Sequence, residues 1–383
     1  MVAICLSGST TTLSFPFNLI RARDFLAYGE MTQHERVRDD GKLIVIDLSE
    51  DAFTFRNDRP IVFFSHQWTA FNHPDHTNKQ FDLMAVSLTT LCESRGWDME
   101  AVVVWCDYTS VPQVHSGLQG LAIDSLAAYA SIASAFVIVA PDVPHKDLPG
   151  VICNEDTYRN RMWCRAEQLC HSLRKGTKNM LVANGKGQGG IMPMDHQWFR
   201  DAHFVFDGEA TCCRLKHKNM RGCDRELLLK PILGLFGELY AGREDPVKNE
   251  LWNNVKAQKD VMFPKEFTYA CNTWNSKLKK EVETQETRPL FANLIQHIED
   301  LIDEDEATRT ELKGVGKGVG NNRDSADLRR ISSIHAMIRT PPPHARALRA
   351  PNRTAGAPIH GAARAAVSSS AVVPAKEDNE MTV

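Results

Sequence analysis

Three short apolar runs, each followed by polar residues, stand out in the first half of the chain. They cover residues 61–64 (IVFF), 102–105 (VVVW) and 135–139 (AFVIV). Each run has four or five residues and is rich in Val, Ile and Phe, a pattern typical of parallel strands buried on both faces. Ligands of open α/β sheets bind just beyond the carboxyl ends of such strands, so we expect a site among the polar residues that follow them.

Segments with helical periodicity alternate with these runs. The pattern predicts helices over 82–91, 123–133 and 164–174, a fourth strand over 180–183 and an edge strand over 203–206. Strands that alternate with helices indicate a parallel sheet, so residues 58–207 are predicted to form one α/β domain. The expected fold class is therefore α/β, with a flavodoxin-like doubly wound parallel sheet.

The segment before this block predicts a separate extension over 1–57. Its apolar spacing favours a helix over 17–28. The dipeptide Asp40-Gly41 between two short runs favours a β-hairpin, because Asp-Gly is a preferred two-residue turn.

The two segments after the block differ in composition. Residues 208–310 have apolar positions at helical spacing, which predicts a mainly helical region. Residues 311–383 are net basic and rich in Gly, Ala, Pro, Ser and Arg. Such a segment cannot bury enough apolar surface to offset its ordering entropy, so we expect a disordered tail.

Composition narrows the class of protein. The chain has 383 residues, 43% of them apolar, and a net charge of −3, which gives no sign of a nucleic-acid partner. No run approaches the roughly 20 apolar residues of a membrane span, and we expect a cytoplasmic protein. Ten cysteines show no repeated Cys-x-x-Cys spacing, and Cys212 and Cys213 are adjacent. This pattern favours reduced thiols over a zinc ribbon or a disulfide framework.

Several of these segments resemble the heterokaryon-incompatibility (HET) domain. Residues 105–113 (WCDYTSVPQ) keep the Trp, Asp and Gln of its W-x-D-x-x-C-I-N-Q segment, with Ser110 in place of the cysteine. Residues 63–68 (FFSHQW) are similar to its strand entering S-Y-x-W. Arg161, Trp163 and Glu167 match its R-x-W-T-x-Q-E segment, with Ala166 in place of the glutamine.

The chain also resembles Toll/interleukin-1 receptor (TIR) domains, which are related to HET domains. Residues 163–167 (WCRAE) fit the W-C-x-x-E segment at the start of a late TIR helix, and residues 123–139 resemble the preceding helix and strand. The resemblance covers roughly a third of the chain. It implies a TIR/HET-like domain in an intracellular signalling or immunity-type protein that self-associates.

The resemblance further implies an NAD glycohydrolase, which cleaves the nicotinamide–ribose bond of NAD with no metal or other cofactor. Cleavage builds positive charge on the ribose, and a preorganised carboxylate nearby stabilises that charge. Glu167 is the catalytic candidate. The candidates for binding the substrate, NAD or a related nucleotide, are Ser65, His66, Asp107, Arg161 and Trp163.

Most candidates have a structural interpretation as well. Glu167 could complement the dipole at a helix start, and Asp107 could cap a turn. Arg161 could bind a phosphate or pair with an acid, and Trp163 could anchor the core. A metal site at His66, His73, Asp75 and His76 is disfavoured, because Pro74 breaks the helix that usually presents such ligands.

The alternative function belongs to a different class. A catalytically inactive interaction module would recruit partners by self-association and through the region after residue 207. Convergence of Glu167, Asp107 and Ser65 on one cavity would favour the enzyme, since an active site needs these side chains together.

Overall fold

The apolar runs of the sequence form the centre of a seven-stranded sheet. The computed structural model of the protein describes residues 13–195, 204–217 and 222–315. The strands are β1 (Phe17–Arg21), β2 (Leu43–Ile46), β3 (Ile61–His66), β4 (Val103–Cys106), β5 (Ala135–Val139), β6 (Val143–Pro144), β7 (Ile152–Cys153), β8 (Met180–Ala183), β9 (Ile191–Pro193), β10 (Glu266–Asn275) and β11 (Lys280–Pro289).

Helices connect and cover these strands. They are α1 (Ala22–Ala27), α2 (His34–Asp39), α3 (Ser49–Asp58), α4 (Lys79–Arg95), α5 (Asp107–Ser110), α6 (Ser116–Asp124), α7 (Leu126–Ile132), α8 (Glu155–Asn160), α9 (Met162–Lys175), α10 (Thr211–Arg214), α11 (Asp224–Ala241), α12 (Pro246–Ala257), α13 (Lys259–Met262) and α14 (Leu294–Val315). None of them, within the described ranges, combines the length and apolarity of a membrane span.

The central sheet has the order β2-β1-β4-β3-β5-β8-β9. Strands β4, β3, β5 and β8 are parallel, whereas β1, β2 and β9 pair antiparallel with their neighbours. Counted along the chain, the four parallel strands have the order second, first, third, fourth, which is the start of the flavodoxin-like arrangement. The predicted α/β fold class is therefore confirmed.

Alternating side chains of the parallel strands build two cores, one on each face. On one face the Phe63 ring stacks between Trp105 and Phe136, with ring centroids 4.1 Å and 5.0 Å away. Helices α6, α7, α9 and α11 contribute to this core, which continues into the region after residue 204. On the other face Val62 and Phe64 pack against α4. Burial on both faces explains why the runs are continuously apolar.

The predicted N-terminal extension is wrong in two respects. Residues 17–21 form a strand within the sheet, next to β4, so only Ala22–Ala27 of the predicted helix is helical. The predicted hairpin at Asp40-Gly41 is a helix followed by a strand, and β2 pairs with β1 instead. Gly41 has a φ of +67°, and it ends the turn after α2 in the left-handed conformation that glycine tolerates best.

The later segments also differ from their predictions. Residues 205–207 form a 3₁₀ helix, and the edge strand is β9 instead of 203–206. The predicted helix over 123–133 is divided between α6 and α7. The region after residue 207 is not only helical, because β10 and β11, of ten residues each, form a hairpin. Helix α14 continues past the predicted tail boundary at 311, and residues 316–383 lie outside the described residues.

Candidate functional site

A pocket opens at the carboxyl ends of β3 and β4, beside the first two turns of α9. The empty space between its walls, including the part that opens to solvent, is about 1110 Å³. The residues that line it are His66, Gln67, Trp68, Ala70, Phe71, Trp105, Asp107, Val111, Gln113, Gln119, Ala122, Ile123, Leu126, His145, Val151, Cys153, Thr157, Arg161, Trp163, Cys164, Glu167, Thr211 and Arg214.

Glu167 is a buried carboxyl group in the wall of this pocket. It lies in the second turn of α9, too far along the helix to act as a first-turn complement to the dipole. The Ser65 hydroxyl donates a hydrogen bond to Glu167 Oε2, and Ser65 Oγ lies 2.6 Å from the Tyr158 hydroxyl. Burial first, and then the charge of Asp107, raise the pKa of Glu167 to about 8. The resting side chain is therefore mostly protonated at neutral pH.

His66 and Asp107 form a second pair in the same pocket. His66 Nε2 lies 2.7 Å from Asp107 Oδ1, and Trp68 Nε1 donates to Asp107 Oδ2 over 3.2 Å. Burial is the largest single influence and alone would lower the pKa of His66. The charges of Asp107 and Cys106 and the hydrogen bonds to both together outweigh it and leave that pKa well above its usual value. Asp107 also begins α5, where its carboxylate accepts from the Tyr108 amide. Asp107 therefore stabilises the start of α5 and also lines the pocket.

Two buried donors in the pocket wall have no hydrogen-bond partner among the described residues. They are Nδ1 of His66 and Nε1 of Trp105. Trp105 is only 1% exposed and His66 only 6%, so solvent reaches neither ring freely. A buried donor left unpaired costs free energy, and bound ligand acceptors are one way to satisfy it.

Two guanidinium groups line another part of the pocket. Arg161 donates to Thr211 Oγ1 and forms no ion pair with a described residue, whereas Arg214 is paired with Glu209. Burial lowers the pKa of His145, and the positive charges of Arg214 and Arg161 lower it further. Both guanidinium groups therefore act on this ring. Arg161 is thus available to an anionic ligand, the first of its two predicted roles.

The pocket brings together most of the residues that the sequence predicted. His66, Asp107, Arg161, Trp163 and Glu167 line it, whereas Ser65 lies behind Glu167 and positions it. Trp163 lines the pocket and also packs in the core. It belongs to the core cluster, and its Nε1 donates to Asp224 Oδ2 over 3.2 Å.

The thiols near the pocket are protonated. Burial and then the charge of Glu167 raise the pKa of Cys164 well above its usual value, and its Sγ lies 3.6 Å from the His66 carbonyl oxygen. Burial also raises the pKa of Cys106, although His66 opposes it. Neither cysteine is a reactive thiolate.

Among the described residues, His66, His73, Asp75 and His76 do not bring their ligand atoms together in one group. His76 Nδ1 lies 2.9 Å from Thr69 Oγ1, and His73 Nδ1 accepts from the Asp75 amide. The structure groups His66, Cys106 and Asp107 instead. The 2.7 Å between His66 and Asp107 is a hydrogen bond, too short for two ligands of one tetrahedral zinc.

Some pocket residues had no signal in the sequence. Tyr158, Thr211 and Arg214 lie outside every motif, and they reach the site through long-range packing. The cysteines around Cys212 converge in space although their spacing fits no motif. No family model, curated protein or solved structure matches the chain significantly, so the function is argued from this geometry and from the resemblance.

Proposed function

We propose that this chain hydrolyses the nicotinamide–ribose bond of NAD, as a cytoplasmic signalling or immunity-type protein. The observation that carries the proposal is Glu167, a carboxyl group in the pocket wall that Ser65 holds in place. Asp107 lines the same pocket, and Ser65 lies directly behind its wall. Two of the three side chains named by the sequence motifs, Glu167 and Asp107, thus line one cavity, and the third, Ser65, contacts Glu167 from behind the wall.

The reaction requires little more than a carboxylate and a water molecule. The bond between ribose C1′ and nicotinamide N1 breaks, and its electron pair leaves with nicotinamide, which becomes neutral. Water adds to C1′ and releases one proton, which gives ADP-ribose and nicotinamide. Ionised Glu167 stabilises the positive charge that develops on the ribose, and this stabilisation is strong because the site is buried.

The substrate itself can ionise Glu167. The nicotinamide ring of NAD is positively charged, and a cation close to a carboxyl group lowers its pKa. The raised pKa of the free protein then describes a resting state that changes when NAD binds. A neutral ligand would leave Glu167 protonated, so the site favours cationic nicotinamide over its reduced form.

Other pocket residues match the remaining parts of NAD. The guanidinium of Arg161, which forms no ion pair with a described residue, suits the diphosphate. The indole rings of Trp68 and Trp163 line the pocket and offer apolar surface to the flat rings. The unpaired Nε1 of Trp105 can donate to a ribose or carboxamide oxygen. Together these groups supply charge, stacking and hydrogen bonds in one cavity.

Self-association, which the resemblance implies, has a candidate surface. Val114, Leu118 and Leu121 expose 75%, 39% and 42% of their surface, and Leu118 and Leu121 lie on α6. The same helix contributes Ala122 to the pocket wall. If two chains packed through this surface, they would contact the helix that forms part of the pocket wall.

The test is release of free nicotinamide from NAD by the full-length chain. We expect Glu167→Gln to lower turnover by at least about 100-fold, because it removes the charge that the transition state requires. Glu299→Gln is the matched control. Glu299 is equally buried, but it pairs with Lys259 in a different part of the molecule and does not line the pocket. This control should keep wild-type turnover.

The assay should be repeated at rising protein concentration and at neutral and mildly alkaline pH. No nicotinamide release under any of these conditions would reject the glycohydrolase and favour the interaction module. An equal loss of turnover in Glu167→Gln and Glu299→Gln would show that the Glu167 substitution acts through folding alone.

A further inference from the structure

A second group of chemically reactive side chains lies outside the pocket residues. Cys212, Cys213, His217 and Cys223 place one ligand atom each within 4.8 Å of all the others. Cys212 and Cys223 are fully buried, and His217 is only 4% exposed. Three thiols and an imidazole enclosed in this way are the ligand set of a structural Cys₃His zinc site.

The distances between these atoms are those of a tetrahedron around one ion. A zinc–sulfur bond of about 2.3 Å implies sulfur–sulfur edges of roughly 3.8 Å. The three Sγ–Sγ distances are 3.6, 3.8 and 4.0 Å, and Cys213 Sγ lies 3.7 Å from His217 Nε2. A disulfide would need about 2.05 Å between two sulfurs, so no described pair is bonded in this way.

The orientation of His217 fits a metal ligand. Its Nδ1 lies 2.8 Å from the carbonyl oxygen of Ala270 and donates to it, which leaves Nε2 unprotonated and directed at the thiols. Metal-bound histidines usually have such a bond, because it fixes the tautomer and the ring. Lys216 and His217 both adopt the left-handed backbone conformation, with φ of 51° and 50°. That conformation is unfavourable for residues with a side chain, and it turns His217 back toward the cysteines.

The surroundings also favour bound thiolates. The Asp224 amide donates to Cys212 Sγ over 3.3 Å, and Arg225 Nη1 lies 2.8 Å from Cys213 Sγ. Three thiolates and one dipositive ion leave a net charge of −1, which the guanidinium of Arg225 balances. Such donors to ligand atoms are a regular part of zinc sites.

We propose that Cys212, Cys213, His217 and Cys223 bind one structural Zn²⁺. Four protein ligands close the coordination shell, so this zinc takes no part in chemistry. It joins α10 to the start of α11 and, through Ala270, to β10. Helix α10 contributes Thr211 and Arg214 to the pocket, so the ion fixes one wall of the proposed NAD site. The proposal is independent of catalysis, because the metal alone is measured.

Metal content of the full-length chain is the first test. The chain is purified under reducing conditions with zinc, dialysed against zinc-free buffer and analysed by elemental mass spectrometry. We expect about one zinc per chain, and less than about one-tenth of that in the double variant Cys213→Ser/Cys223→Ser. Cys92→Ser is the matched control. Cys92 is a buried thiol on α4, in the opposite core, and this variant should keep its zinc.

A second measurement uses the wild-type chain and does not depend on the folding of variants. Replacement of zinc by Co²⁺ should give the sulfur-to-cobalt charge-transfer bands and visible bands of a tetrahedral thiolate site. Wild-type protein that retains no more zinc than the double variant, or cobalt protein without these bands, would overturn the proposal. So would a disulfide among Cys212, Cys213 and Cys223 in the metal-treated chain, since the site would then be a redox pair.

Discussion

The two sides of the pocket are built in different ways. On the Glu167 side, β3, β4 and α9 belong to the central sheet and its core, and every polar group that touches the carboxyl is buried. On the Arg161 side, the short segment 204–217 supplies Thr211 and Arg214. Three contacts help to fix the position of this segment. These are the bridge between Arg161 and Glu209, the Glu209–Arg214 ion pair and the cysteine cluster. In the proposed function, chemistry lies on the Glu167 side, which we call the rigid side because the central sheet holds it. Recognition lies on the Arg161 side, which we call the recognition side.

The largest effect that we expect on the rigid side is on stability as a function of pH. The pKa of Glu167 is about 8 in the folded chain, whereas its ordinary value is 4.5. Between these values the folded state holds a proton that the unfolded state has lost. The stability from burying the neutral carboxyl is therefore full below about pH 4.5 and is lost as the pH rises to about 8.

Glu167→Gln should not show this loss, because glutamine is neutral at every pH. The variant should match the wild type in acid and become more stable above pH 8, by up to roughly 5 kcal/mol. Urea unfolding of both chains across the pH range measures this difference. The charge of His66 acts on Glu167, so the two groups titrate together, and the difference between the two chains is measured over the whole pH range. Parallel curves for the two chains would show that Glu167 is more solvated than the structure indicates.

Ser65→Ala is the next test of the rigid side. Removing the hydroxyl frees Glu167 and removes a bond that lowers its pKa, so less of the carboxyl is ionised at neutral pH. We expect kcat at neutral pH to fall about 10-fold and the acidic limb of the pH profile to move to higher pH. KM should change little. Steady-state kinetics across pH separates this result from simple loss of folded enzyme, which would lower kcat without moving the profile.

Arg161→Gln tests the recognition side. We expect KM for NAD to rise about 10-fold with kcat nearly unchanged, because one charged contact to the diphosphate is lost in the ground state and the transition state alike. Lys230→Gln is a suitable control, since Lys230 pairs with Asp124 outside the pocket. A fall in kcat of the same size as for Ser65→Ala would remove the distinction between the two sides.

The smallest effect is expected for Thr211→Val. The substitution keeps the shape of the side chain and removes the hydroxyl that accepts from Arg161. Loss of one hydrogen bond of about 1 kcal/mol should raise KM a few-fold and leave kcat unchanged. No change in KM would show that the Glu209 bridge alone holds Arg161 in place.

The sequence predicted the centre of the fold well because that centre depends on local pattern. The runs at 61–64, 102–105, 135–139 and 180–183 all became strands, since burial on both faces demands continuous apolar residues. The strand at 17–21 was missed, because its partners lie at 43–46 and 103–104, far along the chain. The Asp40-Gly41 dipeptide is compatible with a hairpin turn and with a helix end. The pairing of β2 with β1, which the local sequence does not show, favours the helix end.

The candidate site shows the same division. Motif spacing selected Glu167, Asp107 and Ser65, because each lies at the end of a strand or within the first two turns of a helix whose position the pattern fixes. It could not identify Tyr158, Thr211 or Arg214, which the fold brings in from other segments. The adjacent pair Cys212-Cys213 argued against zinc on spacing alone. In space, His217 and Cys223 complete the set.

The antiparallel strands at the start of the chain limit how copies of this protein could join. β1 occupies the free edge of β4 and β2 covers β1, so the parallel core offers no open backbone on that flank. On the opposite flank the three-residue β9 covers β8. Among the described residues, a neighbouring molecule could therefore extend the central sheet only at the outer edges of β2 and β9, and copies of this chain would not share its parallel strands.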